Sequence, residues 1–362
     1  MRLPNIAVIV SFVFLLNGCS AGQMMKNSYQ GTQYLQTGNY SQGEITFRKT
    51  VARNPGDPLA NYYLGRFLLA QKETQEALPY LQKAVFSEPE NTDYLFWQGV
   101  AFGALGKQKQ ERKSYRQVLR IDERHLQALT YYGHNQLKER EYEAALATYQ
   151  KVLEIFPDSP SALYNRALIA KILNRTPEEK AGWLAYLAKY PSGDLAIQAI
   201  NHMNLLGEFT YQNHYLGART IPLKKIWFEP FSANLYPSSK RSLDVVGATA
   251  VNIGRAKLQV IVFQENNIEL AKARAISIKE YLSATFPDLT PEKIGVSWFK
   301  QPEAMELQGK KLQNPGSVRF FLTDLEIPIL SSKNKKRTTF IPLRAPQEKK
   351  YKKMLRFPLS PV

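Results

Sequence analysis

Small residues recur along residues 27–191 with a period of 34 positions. The first recurring position holds glycine or alanine, at Gly31, Gly65, Gly99, Gly133 and Ala167. Twelve residues later a small residue stands at Gly43, Ala77 and Ala145, and glutamate takes its place at Glu111 and Glu179. Small residues at a fixed spacing let two helices approach closely, so the pattern predicts a packed pair of helices in each of five periods.

Two further positions complete each period. Four residues after the second small position comes a large apolar residue, at Phe47, Leu81, Tyr115, Tyr149 and Trp183. Proline follows at Pro55, Pro89, Pro157 and Pro191, and Glu123 replaces it once. Because proline lacks the N–H that continues a helix, it marks the end of the second helix. This register resembles the tetratricopeptide repeat, which implies antiparallel helix pairs stacked into an α-solenoid, with the large apolar residue filling the gap to the next repeat.

The 34-residue register stops after Pro191. Residues 192–206 keep a helical spacing of apolar residues and predict a helix that caps the open end of the stack, so the predicted solenoid covers residues 27–206. The polar and aromatic stretch 207–217 predicts a link to a second domain.

In residues 218–325 strand-like runs alternate with helical spacing. Strands are expected within residues 220–235, 258–263, 294–299 and 317–322, and helices within 237–253 and 267–286. The resulting β-α-β-α-β-β order predicts a mixed sheet with helices on one face. The expected fold class is therefore an α-solenoid followed by an α/β domain.

Part of the second domain resembles the OmpA-like peptidoglycan-binding domain. The run Asn-Ile-Glu-Leu-Ala-Lys-Ala-Arg-Ala at residues 267–275 is similar to the N-x-x-L-S-x-x-R-A helix of that family. Residues 228–235 are similar to its first strand and the turn that follows. The resemblance implies that Arg274, with Asn267 on the same helix, contacts a diaminopimelate carboxylate of the cell wall.

The sequence departs from the family in one loop. The family holds its ligand with an aspartate from a G-H-T-D-x-x-G loop, whereas only Gln264, Glu265 and Asn266 follow the strand here. A lone arginine can still grip a carboxylate through two parallel hydrogen bonds. The alternative is an ordinary helix-surface arginine paired with Glu269 or Asn267, in a domain that keeps the fold without binding the wall.

The amino terminus resembles a lipoprotein export signal. Ile6 to Leu16 is an apolar run broken only by Ser11, and Leu-Asn-Gly-Cys at residues 16–19 resembles the lipobox. Cys19 is the only cysteine, so it has no partner for an internal disulfide. We expect a signal peptide over residues 1–18 and a lipidated start and link over 19–26. The alternative is an ordinary secretory signal with an incidental cysteine, or a short membrane anchor.

The net charge of +17 is placed unevenly. The last 32 residues hold ten Lys and Arg against a single acid, Glu348. Prolines and small apolar clusters in residues 326–362 predict a basic and mostly disordered tail. An exported lipoprotein does not normally meet nucleic acid, so the expected targets are membrane phosphates, wall carboxylates or an acidic partner. A solvating tail without a partner is the alternative.

The resemblance to the tetratricopeptide repeat also implies a peptide-binding groove. Positions on the first helix of each repeat line the concave face in that family, and by register they correspond to Tyr62, Arg66, Phe96, His134, Lys138, Tyr164 and Lys171. Aromatic rings and cations together suit an extended peptide that carries apolar side chains and carboxylates. The alternative is that the three aromatic residues pack between repeats and the cations lie on a solvated face.

Nothing in the sequence indicates catalysis, a cofactor or a metal site. Acylation would consume the one thiol, and no nucleophile elbow, HExxH helix, metal-ligand spacing or phosphate loop occurs. Two carboxylate pairs, Glu269 with Glu280 and Glu303 with Glu306, could be proposed to cleave glycans. Their spacings are common on helix faces, so they are weak evidence for catalysis. We therefore expect a protein that is not an enzyme.

These observations predict an outer-membrane lipoprotein that faces the periplasm. Ser20 after the cysteine is the residue that, in bacterial families, accompanies outer-membrane sorting. The repeats would hold part of another envelope protein and assist the assembly of a pilus, secretion or other envelope complex. The alternative is an anchor that tethers the outer membrane to peptidoglycan through the second domain.

Overall fold

The computed structural model describes residues 22–254 and 256–324. The expected signal peptide at 1–18, the expected acylation site Cys19 and the expected basic tail at 326–362 lie outside the described residues. The chain divides into two compact units, with the boundary between Pro157 and Asp158.

The described part of the first unit consists of eight helices. They are α1 (residues 22–36), α2 (Tyr40–Arg53), α3 (Pro58–Ala70), α4 (Thr74–Ser87), α5 (Thr92–Ala104), α6 (Gln108–Ile121), α7 (Leu126–Lys138) and α8 (Tyr142–Ile155). They form four antiparallel pairs, one pair in each 34-residue period. Residues 22–26, expected as part of a link, already belong to α1.

Polar side chains cap the start of the first helix of a repeat, and proline follows the end of the second helix. The side chains of Asp57, Asn91 and His125 accept hydrogen bonds from the backbone N–H of the third residue that follows, which caps α3, α5 and α7. The helices α2, α4 and α8 each end two residues before a proline of the repeat pattern. The sequence pattern therefore located these helix ends correctly.

Packing in the core of the first unit explains why small residues recur at these positions. A methyl group on Gly99 would lie 2.6 Å from a ring carbon of Tyr115, which is fully buried. The glycine therefore admits the aromatic ring from the second helix of its own repeat. The gap to the next repeat is filled as expected, since the ring centroid of Phe47 lies 5.1 Å from that of Tyr63 and 5.7 Å from that of Phe67.

Glu111 stands where other repeats have a small residue, and its carboxylate is buried in a polar network. Asn135 Nδ2 donates to Glu111 Oε2 over 3.0 Å, and Arg112 Nε donates to Asn135 Oδ1 over 2.8 Å. Gly103 leaves the space that the carboxylate fills. Burial raises the pKa of Glu111, because the charged form loses its hydration.

The second unit begins with three helices, followed by an α/β domain. The helices are α9 (Pro160–Ile172), α10 (Thr176–Lys189) and α11 (Asp194–Leu205). The strands and helices that follow are β1 (Tyr211–Leu216), β2 (Arg219–Lys224), α12 (Pro237–Ile253), β3 (Ala256–Gln264), α13 (Ile268–Thr285), β4 (Ile294–Phe299), β5 (Glu303–Leu307), β6 (Lys310–Asn314) and β7 (Gly316–Asp324). A 3₁₀ turn, Pro291–Lys293, precedes β4.

Five of these strands form one mixed sheet in the order β2-β1-β7-β3-β4. The pairs β1–β7 and β3–β4 are parallel, and β1–β2 and β3–β7 are antiparallel. The strands β5 and β6 form a separate antiparallel hairpin. The core lies under α12 and α13, where Leu243, Val246 and Ile278 pack against Leu258 and Val260 of β3.

Three features of this unit differ from the sequence prediction. Residues 207–217, expected as a link, contain β1, and the strand expected within 220–235 ends at Lys224. The β5–β6 hairpin was not predicted. The observed order is therefore β-β-α-β-α-β-β-β-β, which contains the expected mixed sheet and adds three strands.

The helix α11 packs against α10, the last helix of the repeat pattern, and also against β1. Asn204 Nδ2 donates to the carbonyl of Tyr211 over 2.9 Å, and Asn213 Nδ2 donates to the carbonyl of Ile197 over 2.9 Å. Polar residues of β1 are thus buried because α11 supplies hydrogen-bond partners. This explains why a polar segment forms a strand next to the sheet centre.

Candidate functional site

The clearest cation of the repeats is Arg66 on α3, which is partly exposed. Its guanidinium lies 3.5 Å from the ring centroid of Trp97 on α5, and its Nη1 donates to the hydroxyl of Tyr62 over 2.6 Å. Burial raises the pKa of Tyr62 to about 12, so the phenol is neutral at physiological pH. In the part of the chain that the structure describes, Arg66 forms no ion pair with a carboxylate. The guanidinium is therefore fixed in place with its charge uncompensated.

The predicted groove aromatics are largely buried. Tyr62 is 7% exposed and its ring centroid lies 4.8 Å from that of Tyr94. Phe96 is 4% exposed and lies 5.3 Å from Tyr131 and 5.6 Å from His125, measured between ring centroids. Both rings pack between helices, as the alternative interpretation expected. A contact of either ring with a bound peptide stays a prediction.

The sequence did not predict a role for Trp97, the residue on whose ring the guanidinium of Arg66 is stacked. Trp97 is partly exposed and directly follows the buried Phe96 on α5. The exposure of Trp97 left no signal in the repeat register, since consecutive residues point to different faces of a helix. The hydrophobic pattern did not reveal it either, because α5 is apolar around most of its circumference.

His134 and Lys138 both lie on α7. The ring centroid of His134 lies 5.8 Å from that of Tyr131 and 5.9 Å from that of Tyr149. Burial lowers the pKa of His134 to about 4, so the ring is neutral at pH 7. Lys138 is exposed in the last turn of the helix. The structure thus keeps Lys138 accessible to a partner and places His134 among aromatic rings.

In the second unit, Tyr164 and Lys171 join α9 to α11. Tyr164 is 9% exposed, and its hydroxyl donates to Gln198 Oε1 over 3.1 Å. Lys171 Nζ lies 2.7 Å from Nδ1 of the buried His202. Burial and the charge of Lys171 lower the pKa of His202 to about 4, so its neutral ring accepts this hydrogen bond. These contacts hold the helices together.

Arg274 lines a cavity of about 230 Å³ at one end of the sheet. Its Nε donates to the carbonyl of Ser232 over 3.0 Å and its Nη1 to Gln264 Oε1, so its described partners are not Glu269 or Asn267. The guanidinium lies 4.7 Å from the ring centroid of Phe228, and burial lowers its pKa. No acidic residue lines the cavity, whereas Lys225 does.

Asn267 has a different role from Arg274. Its Oδ1 accepts a hydrogen bond from the N–H of Leu270 over 2.9 Å, which caps α13. It is not one of the residues that line the Arg274 cavity. The two residues that the OmpA-like resemblance singled out are therefore separated in the structure.

Two further searches cover residues 22–254 and 256–324 only. In these ranges no group of three or more His, Cys, Asp or Glu side chains is arranged to hold a metal ion. Nor does any helix there have the length and apolarity that crossing a membrane requires. Glu303 is buried and accepts hydrogen bonds from Ser317 Oγ over 2.7 Å and from Arg319 Nε, so it serves an internal ion pair.

The helix pairs with their 34-residue register define the class of protein. The family model of the tetratricopeptide repeat matches residues 30–87, 73–124 and 133–194. The repeats that the sequence predicted are therefore confirmed. Proteins with such repeats generally serve as scaffolds for protein–protein interaction.

Several solved structures align with part of this chain at low sequence identity. PilF of Pseudomonas aeruginosa is 15% identical, with 51% of this chain and 85% of that chain covered at a TM-score of 0.47. YrrB, described as a TPR protein with an unusual peptide-binding site, is 18% identical, with 47% and 87% covered at a TM-score of 0.42. MamA is 16% identical, with 44% and 93% covered at a TM-score of 0.41. No curated protein matches this chain.

Proposed function

We propose that this chain is an outer-membrane lipoprotein that acts as a periplasmic scaffold for another envelope protein. The tetratricopeptide repeats support the scaffold role, and the lipobox-like residues 16–19 support the acyl anchor. The repeats bind an extended segment of the partner and assist assembly of a pilus, secretion or other envelope complex.

The observation that carries the proposal is the placement of Arg66. A guanidinium stacked on Trp97 and bonded to Tyr62 loses little conformational entropy when a ligand binds. Since no carboxylate of the described residues neutralises it, an acidic side chain of the partner gains a charge-assisted hydrogen bond there. The exposed face of Trp97 offers an apolar surface for a neighbouring side chain.

Photo-crosslinking in the native envelope tests this site. A crosslinking amino acid in place of Asp93, an exposed residue of α5, is expected to capture the partner. Arg66→Gln should reduce the captured adduct at least tenfold, because the charge-assisted bond is lost. Arg53→Gln removes an equal charge from an exposed position on α2 and serves as the control. An adduct that Arg66→Gln leaves unchanged would refute the role of this site.

The anchor is tested separately from the repeats. Metabolic labelling with palmitate is expected to mark the wild-type chain and not Cys19→Ser, and the wild type should sediment with outer membranes. A soluble and unlabelled wild-type chain would overturn the lipoprotein assignment without affecting the scaffold role.

A second candidate function is a wall anchor, favoured by the Arg274 cavity. That cavity holds two cations and no acid, which suits a carboxylate of the cell-wall peptide. Sedimentation with purified peptidoglycan should be abolished by Arg274→Gln and retained by Lys300→Gln, an exposed control. Binding that is absent, or that survives Arg274→Gln, excludes this function and leaves the second domain as a protein-contact module.

A further inference from the structure

A second cavity, of about 350 Å³, lies next to the one that Arg274 lines. One wall is the connection between α11 and β1 at residues 207–210, and the opposite wall is the end of β6 through Pro315. Lys225 and Trp227 line both cavities and separate them.

Glu208, the acidic residue of this cavity, already has hydrogen-bond and ion-pair partners within the protein. Glu208 Oε1 accepts hydrogen bonds from the N–H of Thr210 over 3.1 Å and from its hydroxyl, and Glu208 Oε2 lies 3.3 Å from Lys180 Nζ. These hydrogen bonds lower the pKa of Glu208, so its carboxylate is ionised and compensated.

The cation of the cavity lacks a comparable partner. Lys225 Nζ lies 4.7 Å from the ring centroid of Trp227, and within residues 22–254 and 256–324 no carboxylate lies within ion-pair distance of it. Burial lowers the pKa of Lys225 and the charge of Arg274 adds to this, while Glu208 acts in the opposite direction. Partial burial of an unpaired ammonium is costly, and an anionic ligand would offset that cost.

A buried donor on the opposite wall also lacks an acceptor. Asn314 is 1% exposed, and its Nδ2 has no hydrogen-bond partner among the described residues. A buried N–H without an acceptor costs about 1–3 kcal/mol. Asn314 lines the same cavity as Lys225, but its Nδ2 is enclosed by the protein, so Lys225 is the donor that a ligand can reach.

The remaining walls are apolar. Phe209, Leu312 and Pro315 line the cavity, and Trp227 is 42% exposed. The volume is at the lower end of the roughly 300–1,000 Å³ typical of ligand sites. The site therefore offers an apolar compartment beside the ammonium group of Lys225.

We propose that this cavity binds a carboxylate side chain of an acidic peptide together with the apolar residue next to it. The carboxylate accepts a hydrogen bond from Lys225 Nζ, and the apolar side chain lies against Trp227 and Leu312. This inference does not depend on the repeats or on the Arg274 cavity, and it gives the second unit a peptide contact of its own.

Titration of the full chain with defined dipeptides tests the proposal. The probes are N-acetyl-Leu-Glu-amide, the neutral N-acetyl-Leu-Gln-amide and acetate, and the readout is the indole N–H resonance of Trp227, assigned with Trp227→Phe. The acidic dipeptide should shift this resonance saturably, and the neutral dipeptide should bind at least tenfold more weakly. Absence of a saturable shift, or equal binding of both dipeptides, overturns the proposal.

Variants then locate the carboxylate. Lys225→Met should weaken the acidic dipeptide at least tenfold, and Lys225→Arg should restore most of the affinity. Lys224→Met is the matched control, because Lys224 is exposed, adjacent in sequence and outside the cavity. Unchanged binding by Lys225→Met refutes the proposal. If that variant does not fold, the Lys225→Arg variant and the dipeptide comparison decide.

Two more outcomes separate the sources of the ligand and the two proposals. If acetate binds as tightly as the acidic dipeptide, the ligand is a small carboxylic acid and not a peptide, and the proposal is overturned. Arg66→Gln should leave the dipeptide affinity unchanged. Failure of the scaffold proposal would therefore appear in crosslinking alone, and failure of this inference in the titration alone.

Discussion

The prediction that tests the repeat packing most directly is Gly103→Ala. A methyl group at this position on α5 would lie 2.6 Å from Glu111 Oε1 and 2.8 Å from Glu111 Cδ. Neither distance is tolerated between non-bonded atoms, so the carboxylate must move. It is buried and accepts its hydrogen bond from Asn135, so movement breaks the polar network between α6 and α7.

Gly103→Ala makes two opposing contributions to the free energy of unfolding, and these contributions differ in size. Alanine in place of glycine in a helix stabilises by about 0.5–1 kcal/mol. Loss of the hydrogen bond from Asn135 to Glu111 leaves a buried polar group without its partner and costs about 1–3 kcal/mol. We therefore expect Gly103→Ala to lower the free energy of unfolding by roughly 1–2 kcal/mol.

The effect of Gly103→Ala on the free energy of unfolding should change sign when the Glu111 carboxylate is removed. In Glu111→Ala, which restores the small residue of the repeat pattern, Gly103→Ala no longer meets a carboxylate. There it should raise the free energy of unfolding by about 0.5–1 kcal/mol. Native-state hydrogen exchange of the amides in α5 to α7 measures this local stability in the wild type, the two single variants and the double variant.

The double-mutant cycle gives the refuting result. The interaction energy between positions 103 and 111 should be about 2 kcal/mol, the difference between the two effects of Gly103→Ala. A value below about 0.5 kcal/mol, typical of independent sites, would show that Glu111 does not occupy the space beside Gly103. Stabilisation of the wild type by Gly103→Ala would lead to the same conclusion.

Three further predictions concern other parts of the chain. Gly99→Ala should destabilise by about 1–3 kcal/mol in urea unfolding because its methyl group meets the buried ring of Tyr115, whereas Gly56→Ala, with open space around it, should change little. The pKa of His202, lowered to about 4 by burial, implies that its contribution to stability is present above pH 6.5 and is lost as the pH falls towards 4. Unfolding curves at several pH values and an NMR titration of the ring check this, and a ring that titrates near pH 6.5 contradicts it. Phe231 is 95% exposed with φ of 54°, so Phe231→Gly should raise the thermal midpoint through a gain of up to about 1 kcal/mol.

The repeats were predictable because their packing depends on a few residue types at fixed positions. Glycine beside an aromatic ring, as at Gly99 and Tyr115, leaves a direct signature in the sequence. The exception at Glu111 was also visible. Its cause was not, since the vacant space at Gly103 and the donor on Asn135 come from other helices.

The binding face was less predictable than the fold. The helix α5 is apolar or small at most positions from Thr92 to Ala104, so periodicity does not tell which aromatic residue faces solvent. Sequence reasoning chose Phe96, which is buried, and passed over Trp97, which carries Arg66. Only the position of the neighbouring helices distinguishes the two.

The start of the sheet was unpredictable for a related reason. The strand β1 contains Gln212, Asn213 and His214, all buried, so its composition indicated a solvated link. The burial is stable in part because Asn213 bonds to the backbone of α11. A hydrogen-bond partner distant in sequence leaves no local pattern.

The placement of cations connects the candidate sites of the two units. Among the described residues, some cations pair with acids and link neighbouring repeats, as Arg112 Nη1 does with Glu141 Oε1 over 2.7 Å. Three others lie within 4.7 Å of an aromatic ring centroid and pair with no carboxylate there, namely Arg66, Lys225 and Arg274. An aromatic face holds a cation in position without neutralising it, so the full charge remains available to an anion from outside the chain. If the three were only packing residues, replacing each with methionine would preserve stability and binding alike. The proposals above require instead that stability persist while binding of acidic ligands is lost.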